Sequence, residues 1–141
     1  MRVFLDANIL ISYLLNPNGT TPNNVVVESA WAGSYTLIVA EPLFQELINK
    51  ATHKPWLVQR IAQQDVQRLV DAVRVIAEIV PSITEPIPSV TRDPKDDYIL
   101  AYALVGQADY LVTGDDDLLV LKHVGVMKIV RPHEFVELNL V

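Results

Sequence analysis

Residues 2–15 read RVFLDANILISYLL and place one acid between two apolar segments. The first segment, Arg2–Leu5, is short and mostly apolar, which is typical of a buried strand. The second segment, Ala7–Leu15, is predicted to be a helix that follows at once and ends before Asn16-Pro17. Asp6 therefore stands where a strand ends. A carboxylate at such a place is costly unless it caps the helix, accepts hydrogen bonds or binds a cation.

The same alternation of short apolar strands and helical segments continues along the chain. Further strands are predicted at residues 36–40, 79–80, 109–113 and 127–130. Further helices are predicted at residues 22–31, from residue 41 onward, and at 57–77, 96–106, 118–121 and 132–138. The proline-rich residues 81–94 are predicted to form a loop. Buried strands that alternate with helices form a parallel sheet with both faces covered, so we predict an α/β fold in a single domain, residues 1–141.

The composition limits what the chain can be. Its 141 residues contain no cysteine, which excludes disulfides, thiolate metal sites and thiol nucleophiles. The 17 acids and 11 bases give a net charge of −6, which argues against a nucleic-acid binder that works through a broad basic face. That balance is compatible with a nuclease whose acids are gathered in one site. No apolar run reaches the roughly 20 residues of a membrane-spanning helix, so we expect a soluble, cytoplasmic protein.

A second group of acids follows another predicted strand. Residues 113–117 read TGDDD, and three successive carboxylates exceed what a single cap for the helical turn at 118–121 would use. The carboxyl ends of parallel strands lie at one edge of a sheet, where α/β proteins bind their ligands. Asp6 and Asp115 are therefore predicted to converge at that edge.

The helix at residues 96–106 offers a further acid. Asp97 shares its face with apolar residues three, four, seven and eight positions further on, so it is predicted to point inward. Apolar residues also lie three, four, seven and eight positions after Asp96, so periodicity alone does not show which of the two aspartates points inward. Asp93 and Asp96 can both be explained as helix-capping residues, however, which makes Asp97 the better candidate for an inward carboxylate.

Glu46 lies on the helix that begins at Glu41. The simplest interpretation of Glu46 is an ion pair with Lys50, four residues further on, and Glu41 competes with it for any role in the acidic site. Clustered carboxylates either raise a pKa or recruit a cation, and oxygen ligands without cysteine select Mg²⁺ or Mn²⁺. Such an ion suits hydrolysis of a phosphodiester bond, because it activates water and stabilises the leaving oxygen.

Four segments, taken in order, resemble the PIN domain family across nearly the whole chain, and most of all its small single-domain toxin components of toxin–antitoxin pairs. The segments are VFLDANILISYLL, LFQELINKA, RDPKDDYILAYAL and ADYLVTGDDDLL. The resemblance implies an α/β/α sandwich around a mostly parallel central sheet. It also implies a nuclease that depends on Mg²⁺ or Mn²⁺ and usually acts on RNA.

The family's acids fall on particular positions of this sequence. The resemblance places catalytic and metal-binding carboxylates at Asp6, Glu46, Asp97 and Asp115, with supporting residues at Asn8, Thr113 and Asp117. It thus favours a site role for Glu46 and prefers Asp97 to Asp96. Asp116 is an extra acid that departs from the family pattern, which leaves the assignment within residues 115–117 open.

These observations predict a metal-dependent endoribonuclease, a hydrolase of phosphodiester bonds whose substrate is RNA. The alternative is a catalytically silent PIN-like module that binds RNA or a protein partner. The resemblance also implies an antitoxin protein as a partner. The high apolar content, with a mean hydropathy of +0.25, is compatible with a homodimer.

Overall fold

The computed structural model describes residues 1–138, in which helices cover a six-stranded sheet. The strands are β1 (Arg2–Leu5), β2 (Thr36–Ala40), β3 (Glu78–Val80), β4 (Tyr110–Val112), β5 (His123–Val124) and β6 (Met127–Val130). The helices are α1 (Ala7–Leu15), α2 (Pro22–Trp31), α3 (Glu41–His53), α4 (Pro55–Arg60), α5 (Gln63–Ile76), α6 (Pro94–Val105), α7 (Asp116–Leu119) and α8 (Pro132–Glu137). None of these helices is long and apolar enough to cross a membrane.

The sheet has the strand order β3-β2-β1-β4-β6-β5. All neighbouring strands are parallel except β5 and β6, which pair in antiparallel fashion. Val3, Phe4 and Leu5 of the central strand β1 are all buried. Successive residues of a strand point to opposite faces, so helices must cover the sheet on both sides. The predicted α/β/α sandwich with a mostly parallel sheet is confirmed.

The register of β1 and β4 determines what meets at the carboxyl edge of the sheet. Leu5 of β1 lies opposite Val112 of β4, so the two strands end side by side. The backbone N–H of Asp6 then donates to the carbonyl oxygen of Val112 at 3.1 Å. Asp6 directly follows β1 and Thr113 directly follows β4, so the two residues are brought together at that edge.

The region predicted as one helical stretch, residues 57–77, is divided between α4 and α5. Ile61 is buried and has an extended backbone between them. Leu57 and Ile61 are four residues apart, but the next buried apolar residue, Val66, comes five residues later. In one continuous helix, Val66 would point away from the face that carries Leu57 and Ile61. The break between α4 and α5 lets the apolar face of each helix pack against the core.

The sequence analysis did not predict the short strand β5. Its two residues pair with β6 through a tight turn in which Gly125 has a φ of +58°. This left-handed conformation favours glycine, and a strand of two residues carries no measurable periodicity.

A close approach between α6 and the sheet gives a first testable prediction. A Cβ atom at Gly106 would lie 2.6 Å from Cγ2 of Ile38 and 3.1 Å from Cγ2 of Val80, and both neighbours are buried. Gly106→Ala is expected to lower the free energy of unfolding by about 1–3 kcal/mol, because packed core atoms must shift. Urea denaturation measures the change. Gly114→Ala, whose Cβ would meet nothing within 4 Å, is the control and should not destabilise the protein. Equal stability of the two variants would contradict the prediction.

Candidate metal centre

A buried threonine links the ends of β1 and β4. The Thr113 hydroxyl donates to Oδ2 of Asp6 at 2.8 Å and accepts from the backbone N–H of Asp115 at 3.1 Å. The other oxygen of Asp6 accepts from the backbone N–H of Asn8 at 3.3 Å and so caps α1. Asp6 is therefore satisfied by hydrogen bonds, as the capping interpretation predicts, and it also orients the loop that carries the next acids.

The three successive acids after β4 have separate roles. Asp115 caps α7, since its Oδ1 accepts from the backbone N–H of Asp117 at 2.9 Å. The side chain of Asp116 is 86% exposed and pairs with Arg131 at 2.6 Å, and it is not part of the carboxylate cluster described below. Asp117 is partly buried and pairs with Arg92 at 2.7 Å. The extra acid of the sequence is thus Asp116, and Asp115 and Asp117 remain on the inner side.

Asp96, at the start of α6, completes a cluster with these two residues. One carboxylate oxygen each from Asp96, Asp115 and Asp117 all lie within 4.8 Å of one another. Asp96 is only 1% exposed, and neither of its carboxylate oxygens has a hydrogen-bond partner among residues 1–138. A buried carboxylate without a donor is unfavourable unless it is protonated or a cation approaches it.

The surroundings of Asp96 disfavour its charged form. Burial, followed by the closeness and charge of the Asp115 carboxylate and the charges of Asp93 and Asp117, raises the pKa of Asp96 to about 7. A divalent cation would relieve this repulsion, because carboxylate oxygens are the ligands that Mg²⁺ and Mn²⁺ prefer. The three carboxylates and the two unpartnered oxygens therefore fit a hard divalent ion.

Asp97, the acid of α6 that was expected in the site, accepts hydrogen bonds from the preceding loop. Its Oδ1 accepts from the backbone N–H groups of Thr91 at 2.6 Å and Val90 at 2.9 Å, and it thereby holds the loop that leads into α6. The bond from Thr91, with that from Val90, keeps the pKa of Asp97 below its ordinary value. Asp97 was expected in the acidic cluster, and the three carboxylates that lie together among the described residues are those of Asp96, Asp115 and Asp117. Both aspartates are buried in the first turn of α6, and the path of the preceding loop decides which one is bonded.

Asp93 caps α6, as predicted. Its Oδ1 accepts from the backbone N–H of Lys95 at 2.9 Å, and Pro94 is the first residue of the helix. Asp96 makes no capping bond among the described residues. The capping role that favoured Asp97 over Asp96 as the inward carboxylate is therefore absent.

Glu46, on α3, lies between two lysines. Its Oε1 is 3.1 Å from Nζ of Lys50 and 3.5 Å from Nζ of Lys95. The predicted ion pair with Lys50 is therefore present, and a second lysine was not anticipated because it comes from another helix. Glu46 and Asp6 line one small cavity of about 30 Å³. The competing acid, Glu41, pairs with Arg74 at 3.0 Å.

The raised pKa of Asp96 gives a prediction about stability. The folded protein holds this proton up to about pH 7, whereas the unfolded chain releases it near its ordinary pKa of 3.8. The metal-free protein should therefore lose stability as pH rises from about 4 to about 7, by at most about 4 kcal/mol. Asp96→Asn should remove this loss, so in EDTA at pH 8 its urea midpoint should exceed that of the wild type.

The neighbouring Asp97→Asn is the matched control for that measurement. It replaces a charged acceptor of two backbone bonds with a neutral one, so it is expected to lower the urea midpoint slightly at pH 8. A lower urea midpoint for Asp96→Asn than for the wild type at pH 8 would show that the Asp96 carboxylate is not strained by its neighbours.

Comparisons with known proteins give the family and the fold of the chain. The family model for the PIN domain matches residues 2–117, a range that contains β1, β4 and all the acids of the cluster. A comparison with curated proteins finds no match to this sequence. A chain of the solved structure described as "Crystal structure of VapBC2 from Rickettsia felis bound to a DNA fragment from their promoter" has a similar fold. It is 16% identical, with a TM-score of 0.57, and the match covers 93% of this chain and 98% of that chain. The protein belongs to the PIN domain family.

Proposed function

We propose that this protein is an endoribonuclease that depends on Mg²⁺ or Mn²⁺, and that Asp96, Asp115 and Asp117 hold the ion. The observation that carries the proposal is the buried Asp96 carboxylate, which has no donor among the described residues and faces two further carboxylates. Membership of the PIN domain family supports nuclease chemistry in general. The bound ion would activate water and stabilise the leaving oxygen of a phosphodiester.

Other residues at this edge of the sheet would support the metal-binding acids without binding the ion themselves. Asp6 holds the Thr113 hydroxyl, which accepts from the backbone of Asp115 and thereby orients that acid. Arg92 pairs with Asp117 from an exposed position, and it can leave when the ion or a phosphate arrives. In this proposal Asp97 keeps the loop before α6 in place and does not touch the ion.

RNA is the proposed substrate, and an antitoxin is the proposed partner. Both follow from the resemblance to toxin components among PIN domains. The similarity to a chain of a VapBC2 complex bound to promoter DNA supports a toxin–antitoxin context. We also propose that the protein acts in the cytoplasm, where such an enzyme would meet its RNA.

Cleavage of end-labelled single-stranded RNA and of a matching DNA tests the proposal. The wild type should cut RNA in Mn²⁺ or Mg²⁺, should not cut in excess EDTA, and should leave the DNA intact. Asp96→Asn should lose cleavage and bind Mn²⁺ at least about tenfold more weakly in calorimetry, because a ligand has lost its charge. Asp97→Asn should keep both properties, since an amide oxygen can still accept from Thr91 and Val90.

Three results would count against this proposal. Cleavage that survives in Asp96→Asn would place the reaction elsewhere or reveal a contaminant. Loss of Mn²⁺ binding in Asp97→Asn but not in Asp96→Asn would restore the assignment expected from the sequence. A wild type that neither cuts RNA nor binds Mn²⁺ would favour the silent binding module.

A further inference from the structure

Two lysines from different helices share the carboxylate of Glu46. Lys50 belongs to α3 and Lys95 to α6, and their ammonium groups lie 3.1 and 3.5 Å from the same oxygen, Oε1. This oxygen is buried, and both contacts are ion pairs without hydrogen-bond geometry. Lys50 also donates to Oδ1 of Asn8 at 3.0 Å. Two positive charges therefore meet one negative charge, and this group of three side chains carries a net positive charge in a protein of net charge −6.

The burial of Lys50 distinguishes this group from an ordinary surface ion pair. Its side chain is only 15% exposed, whereas that of Lys95 is 54% exposed. Burial lowers the pKa of Lys50, the carboxylate of Glu46 opposes this effect, and the ammonium group of Lys95 adds to it. The contacts with Asn8 and Glu46 hold the Lys50 ammonium group in one place. Its position is therefore built into the fold, between Asn8 and Glu46, and is not an accident of the surface.

Chain connectivity and hydrogen bonds link the two lysines to acids at the carboxyl edge of the sheet. Lys95 directly precedes Asp96 in the first turn of α6. Asn8, the acceptor for Lys50, donates its backbone N–H to Asp6. Each ammonium group has three N–H donors, and the contacts with Asn8 and Glu46 leave donors for a further acceptor. An anionic oxygen is the acceptor that two adjacent ammonium groups favour.

We propose that Lys50 and Lys95 form a subsite for a backbone phosphate of the substrate, next to the bond that is cut. Glu46 holds the two ammonium groups at this subsite and is not a ligand of the metal ion. The inference rests on the proposed function, because it assigns the lysines to a nucleic-acid strand. It departs from the resemblance, which places Glu46 among the metal-binding carboxylates.

Binding of a fluorescent single-stranded RNA, measured by anisotropy in Ca²⁺ over a range of salt, tests the subsite. The variant with both Lys50→Met and Lys95→Met should bind RNA about tenfold more weakly than the wild type. Its slope of log K against log salt should be shallower by about 0.7, the contribution of one phosphate of a single strand. Lys95→Met alone changes a half-exposed side chain and should show a smaller loss in the same direction. Lys128→Met, on the exposed face of β6, is the charge-matched control and should change neither quantity.

Calorimetry with Mn²⁺ tests the role of Glu46 without any activity measurement. Glu46→Gln should bind Mn²⁺ within about threefold of the wild type, whereas Asp96→Asn should bind it at least about tenfold more weakly. Loss of Mn²⁺ binding in Glu46→Gln to the extent seen in Asp96→Asn would overturn the assignment of Glu46. Wild-type RNA affinity and salt slope in both lysine variants would overturn the subsite alone. A wild type that binds neither Mn²⁺ nor RNA would overturn the subsite together with the proposed function.

Discussion

The carboxylate of Asp96 is the constraint around which the site is built. It is buried, it has no donor among residues 1–138, and two other carboxylates lie within 4.8 Å of it. In the absence of a cation this arrangement opposes ionisation and costs stability. The fold nevertheless enforces it, because the register of β1 and β4 and the hydroxyl of Thr113 fix the loop that carries Asp115 and Asp117. A carboxyl pKa raised by burial and neighbouring charges is typical of a functional site.

The acids at this edge of the sheet have different tasks, which their hydrogen bonds distinguish. Asp6 and Asp97 accept backbone or hydroxyl donors and fix the local structure. Asp116 faces solvent with Arg131, and Glu46 faces two lysines. Asp96 is buried and both of its oxygens lack a donor among the described residues, whereas Glu46 has one buried oxygen, Oε1, without a hydrogen-bond partner there.

The sequence predicts the fold and the convergence of strand ends better than it predicts the contacts of individual side chains. Alternating apolar runs are local signals, so β1, α1 and β6 were predicted with their observed bounds. The choice between Asp96 and Asp97 depends on where Val90 and Thr91 pass, and adjacent residues in one helical turn offer no periodic signal for that. The same limit applies to Lys95, whose contact with Glu46 joins two separate helices. Such contacts depend on tertiary structure.

The most direct test of this account is the position of the metal ion. Crystals soaked in Mn²⁺ and measured near the manganese absorption edge would locate it by anomalous scattering. The account predicts a peak coordinated by carboxylate oxygens of Asp96, Asp115 and Asp117, with Glu46 still on its lysines. A peak coordinated by Asp97 or Glu46, or no peak beside Asp96 at saturating Mn²⁺, would contradict it.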